Sequence, residues 1–261
     1  MIDQLHFLLA ALSGVAVGFT LGLVGGGGSI LAVPLMVYVV GVRSPHIAIG
    51  TSALAVAVNA LAGLANHARN RNVNWQVGGA FAAAGIIGAL AGSTLGKAFD
   101  GQKLLFLFAL LMIVVAVMMY RGRTEQGIEN VACTRDNAGK VLSFGFGTGA
   151  LSGFFGIGGG FLIVPALSVS TNMAIYRAVG TSLVAVSAFG LTTAANYALS
   201  GLIDWPVAGT FIAGGIAGSV IGTATSRRLA AHKGWLNMLF AGLILAVALY
   251  MLARSGIALA G

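Results

Sequence analysis

The sequence predicts an all-α polytopic membrane protein built from two related halves. Of its 261 residues, 58% are apolar and only 8% are charged, whereas about a quarter of an ordinary soluble domain is charged. The mean hydropathy is +0.96 over the whole chain, so most of its elements are expected to face hydrocarbon. The third observation is an internal repeat at an offset near 130 residues, which predicts two similar structural units.

The repeat runs through most of the chain. At an offset of 131, Gly14, Gly18, Gly22, Gly25, Gly27, Gly28, Leu31, Val33 and Pro34 are matched by Gly145, Gly149, Gly153, Gly156, Gly158, Gly159, Leu162, Val164 and Pro165. At an offset of 130, Gly50, Thr51, Ser52, Ala55, Val56, Leu61, Asn66 and Trp75 are matched by Gly180, Thr181, Ser182, Ala185, Val186, Leu191, Asn196 and Trp205. We therefore divide the chain into a first transmembrane repeat (1–120), a linker (121–139) and a second repeat (140–261).

Each half contains five apolar segments. They cover residues 5–24, 29–41, 46–67, 76–97 and 103–120, and then 140–155, 160–172, 176–199, 206–226 and 235–253. The second segment of each half is too short to cross a bilayer, since a helix of that length rises roughly 20 Å against a hydrocarbon core of about 30 Å. The first two segments of each half are thus predicted to form a hairpin, folded at 25–29 and at 156–160, that enters and leaves by one face.

The distribution of Lys and Arg supports this topology. With a hairpin that makes no net crossing, one side holds Arg69, Arg71, Arg121, Arg123, Arg135, Lys140, Arg177, Arg227, Arg228 and Lys233, and the other holds Arg43, Lys97, Lys103 and Arg254. A crossing first segment would instead divide these residues evenly. The uneven division is the positive-inside pattern, and it predicts a cytoplasmic linker with both termini outside. Each half then crosses an odd number of times, which predicts inverted repeats, an arrangement that recurs in secondary transporters.

Composition and charge exclude several function classes. The net charge is +8, but the basic residues form no continuous stripe, so no nucleic-acid partner is expected. Cys133 is the only cysteine, which excludes an internal disulfide or a cysteine zinc site. No cofactor motif or convergent nucleophile and base occurs, so an enzyme is not expected and no cofactor is assigned. The expected partners are the lipid bilayer and a small anion, and a homodimer is left open.

Two glycine clusters are the first candidate site. The first consists of Gly25, Gly26, Gly27, Gly28 and Ser29, and the second includes Gly156, Gly158, Gly159 and Gly160. Such clusters cannot stay helical, and the helix that starts after each one presents the positive end of its dipole. Bare N–H groups and that dipole can hold an anion without a charged side chain. Simple helix packing is the alternative, and we expect it for the four-residue glycine spacings at 14–22 and 88–96.

Hydroxyl and amide side chains of the third segments are the second candidate site. Thr51 and Ser52 recur as Thr181 and Ser182, and their hydroxyls could donate to a substrate oxygen. Ser52, Asn59 and Asn66 share one helical face by their spacing, and Asn196 repeats the last of them. Phe189 stands where the middle Asn would recur, so the halves are predicted to differ chemically at that depth. Bonds to the helix's own carbonyls, or Asn bridges between helices, are the alternative.

These motifs resemble those of the sulfite exporter TauE/SafE family, also called the 4-toluene sulfonate uptake permease family. The resemblance covers about residues 10–250, and its signature is a glycine-rich loop, a short helix with Pro34 or Pro165, and a Gly-Thr-Ser block in each half. It implies a carrier in the bacterial inner membrane for small sulfur-containing anions such as sulfite, sulfoacetate or other organosulfonates. Two alternatives are a transition-metal permease using His46 and His67, and a membrane scaffold that transports nothing.

Overall fold

Most of the described residues of the protein lie in helices. The structure is a computed structural model, and it describes residues 2–121, 131, 135–228 and 233–260. The first half contains α1 (Ile2–Val24), a 3₁₀ helix (Gly25–Leu31), the single turn α2 (Ala32–Pro34), a π-helix (Leu35–Val40), α3 (Pro45–Arg69), α4 (Trp75–Ala98) and α5 (Gly101–Arg121). The second contains α6 (Arg135–Phe155), α7 (Gly160–Thr171), α8 (Ile175–Ala198), α9 (Trp205–Arg228) and α10 (Lys233–Ala260).

The predicted segments correspond to these helices one for one, with two corrections. Residues 29–41 are predicted as one short helix, but the structure divides them among 3₁₀, α and π turns. The cause is local, since the glycines before them favour no single conformation and Pro34 lacks the N–H that an α-helix needs. The second correction concerns two helix ends, since α6 begins at Arg135, before the predicted segment 140–155, and α10 runs to Ala260, beyond the predicted segment 235–253. Cys133 and most of the linker lie outside the described residues.

The long helices carry the features of membrane spans. Six described helices, namely α1, α3, α4, α5, α8 and α9, are long and apolar enough to cross a bilayer. Large apolar side chains face outward along them, among them Ile87, which is 64% exposed, and Val220, which is 67% exposed. Trp75 and Trp205 are exposed at the first residues of α4 and α9, as expected for rings anchored at the headgroup level. The chain is a multi-pass membrane protein.

The principal helix pairs each join one half to the other. Helix α1 packs on α9, α4 on α6, α3 on α8, and α5 on α10. A Cβ added at Gly14 would overlap the carbonyl oxygen of Phe211, and one at Gly88 would overlap that of Phe146. Such close backbone approach requires glycine, so the predicted packing role of these spaced glycines is confirmed. The two halves share one interior.

Helix directions across this interior follow a regular pattern. Gly50 of α3 lies against Tyr197 at the end of α8, and Gly63 lies against Leu183 near its start, so α3 and α8 run antiparallel. Gly14 faces Phe211 and Gly18 faces Gly215, so α1 and α9 run parallel. Antiparallel α3 and α8 are what two copies of opposite orientation would produce. Inversion therefore remains our prediction for the relation between the halves.

Candidate functional site

A cleft of about 390 Å³ with both apolar and polar lining opens between α1, α3, α8 and α9. Its apolar lining includes Leu21, Leu183 and Ile216, and its polar lining consists of Asn59, Asn66, His67, Arg69 and Ser219. Asn59 is only 2% exposed and forms the inner end, whereas Arg69 is exposed at the last turn of α3 and forms the mouth. No carboxylate is among these lining residues, so the cleft offers donors and positive charge to a solute.

Asn59 is the unusual residue of the cleft. Both polar atoms of its amide, Nδ2 and Oδ1, are buried, and neither has a hydrogen-bond partner. The side chain has room only because position 215 of α9 is glycine, where an added Cβ would overlap Nδ2. A buried polar group without a partner costs about 1–3 kcal/mol. The Asn59 amide therefore has unused hydrogen-bonding capacity at the inner end of the cleft.

Polar side chains at the mouth are ordered by neighbouring amides. The Asn72 amide nitrogen lies 3.0 Å from His67 Nδ1; because an amide nitrogen can only donate, Nδ1 accepts and Nε2 carries the ring proton. The Asn70 amide donates to the Asn66 carbonyl oxygen at 2.9 Å and approaches Asn66 Oδ1 at 3.4 Å. The positive charge at this entrance comes from the exposed Arg69, and a positive edge attracts anions.

The equivalent space in the second half is filled. Phe189 occupies the position that corresponds to Asn59, and it stacks on Phe81 with ring centroids 6.2 Å apart. Gly85 corresponds to Gly215, and a Cβ added there would overlap the Phe189 ring. In each case a glycine of one half leaves room for a side chain of the other half. That side chain is the amide of Asn59 in the first case and the ring of Phe189 in the second. The chemical difference predicted at this depth is present in the structure.

The Gly-Thr pairs of the two Gly-Thr-Ser blocks hold the halves together. The Thr51 hydroxyl accepts from the backbone N–H of Asp204 at 3.0 Å, and Thr181 accepts from that of Asn74, also at 3.0 Å. The preceding Gly50 lies so close to the Leu202 carbonyl oxygen that an added Cβ would overlap it. Each pair fixes the loop that starts a helix of the opposite half. This packing role accounts for both threonines, and their contact with a substrate stays a prediction.

The serines of these blocks differ from each other. Ser182 donates to the Val179 carbonyl oxygen at 2.8 Å, which is the helix back-bond considered as the alternative. Ser52 is fully buried, and its hydroxyl has no partner. It lies two turns before Asn59 on the same face of α3. Ser52 and Asn59 therefore form a line of unpaired polar groups running inward from the cleft.

The second glycine loop lies beside this line. Gly156, Gly158 and Gly159 have φ values of +66°, +64° and +69°, a left-handed conformation that favours glycine. Gly158 packs against Val56 and Val186, and Val56 lies one turn after Ser52. Gly159 lies against Ser152, whose buried hydroxyl also has no partner. No side chain caps the first turn of α7, so the loop combines a helix N-terminus with an unpaired hydroxyl.

The first glycine cluster approaches the second half in turn. The 3₁₀ helix Gly25–Leu31 contacts α7 and α8 as well as α1. Its Ser29 is fully buried, and a Cβ at Gly28 would overlap the backbone of Leu21. The broken segments of the two halves therefore lie against each other. The cleft reaches Leu21 and Gly22 but is lined by neither glycine cluster.

The structure thus brings only part of the predicted site to the cleft. Asn59 and Asn66 line it; Ser52 and the glycine clusters lie deeper, and Asn196 lies elsewhere, bonded to Lys97. Sequence reasoning missed Ser152, which ends the glycine-spaced face of α6 immediately before the loop. It also missed Gly215, whose counterpart Gly85 was recognisable at the 130-residue offset. From the sequence alone, Arg69 indicates only which side of the membrane the end of α3 faces.

A metal site would need ligands that the fold keeps apart. His46 lies in the first turn of α3 and His67 in the last, which separates them by roughly 30 Å along the helix axis. Within the described residues, no group of three or more His, Cys, Asp or Glu side chains comes together. The transition-metal alternative therefore has no supporting arrangement in this part of the chain.

A multi-pass helical protein with broken helices in its interior and a cleft without carboxylates has the features of a membrane transporter. A model of the family described as "Sulfite exporter TauE/SafE" matches residues 10–251. The chain therefore belongs to the TauE/SafE sulfite exporter family, and the predicted resemblance is confirmed.

Relatives carry names consistent with this class. A "Probable membrane transporter protein" of Xylella fastidiosa is 52% identical over 93% of this chain and 94% of its own length. The "Probable membrane transporter protein YunE" of Bacillus subtilis is 25% identical over 86% of this chain and 90% of its own length. No solved structure matches the chain. The family and these relatives are transporters, in agreement with the prediction that the chain is not an enzyme.

Proposed function

We propose that this protein transports small sulfur-containing oxyanions such as sulfite, sulfoacetate or other organosulfonates, and that the open cleft is their way in. The observation that carries the proposal is the Asn59 amide, which is buried at the end of the cleft with neither polar atom paired. An oxyanion accepts hydrogen bonds from such a donor. The positive charge of Arg69 at the mouth supports the same sign of substrate.

Beyond Asn59, the anion would be held by uncharged donors. The candidates are the unpaired hydroxyls of Ser52 and Ser152 and the start of α7, which no side chain caps. A helix N-terminus favours negative charge, and its N–H groups bind oxygen atoms directly. Binding without a fixed cation keeps affinity moderate, which suits a carrier that must release its substrate. The Gly25–Ser29 cluster would complete the site from the other half.

Electrostatics favours export as the direction. We place the protein in the bacterial inner membrane with both termini in the periplasm, as the distribution of basic residues predicts. A monovalent anion leaving a negative interior gains about 2.3 kcal/mol per 100 mV, which corresponds to a concentration ratio of roughly 50 at equilibrium. In the part of the chain that the structure describes, each Asp lies within the first two residues of a helix or directly before one. No carboxylate in the middle of a described span is therefore available to carry a coupled proton for uptake.

The test is a flux assay with purified protein in liposomes. Labelled sulfite, sulfoacetate and an aromatic sulfonate are loaded in turn, and release is measured with the potential set in each direction. We expect saturable release of at least one of these anions, accelerated when the loaded side is negative. Transition-metal cations are run as the competing substrate class. Release of metals alone, or no release above that of protein-free liposomes, would overturn the proposal.

A further inference from the structure

A lysine ties α4 to α8 on the side of the second half. Lys97 Nζ donates to Asn196 Oδ1 at 2.8 Å, to the Asn196 carbonyl oxygen at 3.0 Å, and to Ser200 Oγ at 2.8 Å. It also lies 5.9 Å from the centre of the Tyr197 ring. All three ammonium hydrogens are thus used at the end of α8 and in the turn that follows it, and every acceptor is neutral.

Asn196 extends this network back to α4. Its amide nitrogen donates to Ser93 Oγ at 2.6 Å and to Thr94 Oγ1 at 3.1 Å. The amide therefore uses both of its hydrogens toward α4 while its oxygen accepts from Lys97. A half-buried, fully satisfied set of polar bonds between two helices holds those helices in one geometry. This set closes the space between α4 and α8.

The equivalent positions of the first half are not closed in this way. At the 130-residue offset, Asn196 corresponds to Asn66, Thr193 to Gly63, and Phe189 to Asn59. The first-half members, Gly63 among them, line the open cleft. The second-half members face α4, where Phe189 is fully buried and Thr193 is 0% exposed. One set of equivalent positions is therefore open and the other is shut.

We propose that Lys97 and Asn196 form the latch that shuts the transport route on the face opposite the cleft. The inference rests on the proposed transport function and adds how the second face opens. Separation of α4 from α8 would remove all three acceptors from the Lys97 ammonium. The oxygens of a departing or arriving oxyanion are the groups that can replace them, so the latch and the substrate compete for the same cation.

Paired cysteine reporters test the latch without any knowledge of the substrate. In a Cys133→Ser background, Gly63→Cys reports on the open cleft and Thr193→Cys reports on the closed face. A Cβ at Gly63 is 3.5 Å from its nearest neighbour, Leu183 Cδ1, so the first reporter fits. Labelling by a small thiol reagent is measured in liposomes. We expect Gly63→Cys to react and Thr193→Cys to be protected.

Lys97→Met keeps the apolar stem and removes the donors. It should accelerate labelling of Thr193→Cys by about tenfold, because bonds to a charged group are strong, and slow that of Gly63→Cys as the population shifts. Lys103→Met removes an exposed lysine from α5 and should change neither rate.

Equal rates in Lys97→Met and the parent would overturn the latch, and so would a parallel rise at both reporters, which indicates loosening. If reciprocal labelling is found while the liposomes release none of the tested anions, the latch stands and the substrate assignment fails.

Discussion

Replacing Asn59 by Leu should stabilise the protein and slow transport at the same time. Leu branches at the same carbon as Asn, so its methyl groups take the places of the two unpaired amide atoms. Removing a buried unsatisfied amide is worth about 1–3 kcal/mol. Gly215 leaves no extra space beside the amide. Because methyl groups are larger than the amide atoms, the gain in unfolding free energy should lie near the lower end of this range. At about 2–4 °C per kcal/mol, the melting temperature should rise by a few degrees.

The same change removes a donor that the substrate needs. A hydrogen bond to a charged group contributes about 1.5–3 kcal/mol, so the specificity constant for anion flux should fall about ten- to a hundredfold. Thermal unfolding in detergent and flux in liposomes are measured on the same preparation. Ser13→Ala is the matched control, because Ser13 Oγ is also buried without a partner but does not line the cleft.

The control should gain stability and keep its flux. If Asn59→Leu transports at the rate of the parent protein, the amide does not contact the substrate. If it melts at a lower temperature, the amide has a partner and the reasoning from its burial fails. Either result would refute the assignment of Asn59 as a binding group, whatever the substrate of the parent proves to be.

Three further substitutions test neighbouring parts of the site. Gly215→Ala should displace the unpaired amide and reduce flux about tenfold, whereas Gly209→Ala on the same helix meets no atom within 4 Å and should leave flux unchanged in liposomes. Thr181→Val removes the acceptor of the Asn74 N–H and should lower the unfolding free energy by about 1–3 kcal/mol in a denaturation series. Arg69→Gln should raise the KM for anions a few-fold at low salt. The difference in KM should disappear near 1 M salt, where the Debye length is only about 3 Å.

The helices were predictable because their signals are local. Hydropathy and the repeat place the ends of the described long helices within about five residues, except that α10 runs seven residues past the predicted end at 253. The four-residue glycine spacings predict the tight α1 and α4 faces. Residues 25–40 were harder, because glycine, serine and proline permit several kinds of turn with little difference in energy. The start of α6 at Arg135 was missed since its first turn is polar and gives no apolar period.

The candidate site was predictable in residue type more than in role. Spacing alone placed Ser52 and Asn59 on one face of α3, but only the three-dimensional arrangement separates paired from unpaired hydroxyls. Thr51 repeats at Thr181 because both hold a loop of the opposite half, and a recurring motif looks the same whether it binds substrate or stabilises a turn. Asn196 matches Asn66 in sequence, but it does not line the cleft, because its amide oxygen accepts a hydrogen bond from the Lys97 ammonium.

Because helices of one half pack on helices of the other, pairing across the halves sets the order in which the helices can assemble during synthesis. The glycine face of α1 contacts α9, and Gly18 and its neighbour Gly215 are far apart in the chain. At a synthesis rate of about 5–20 residues per second, α1 waits roughly 10–40 s for its partner. During that interval its backbone groove is open to lipid or to other nascent helices. Biogenesis of either half as a separate polypeptide would leave these grooves permanently unfilled, so the two copies depend on being made as one chain.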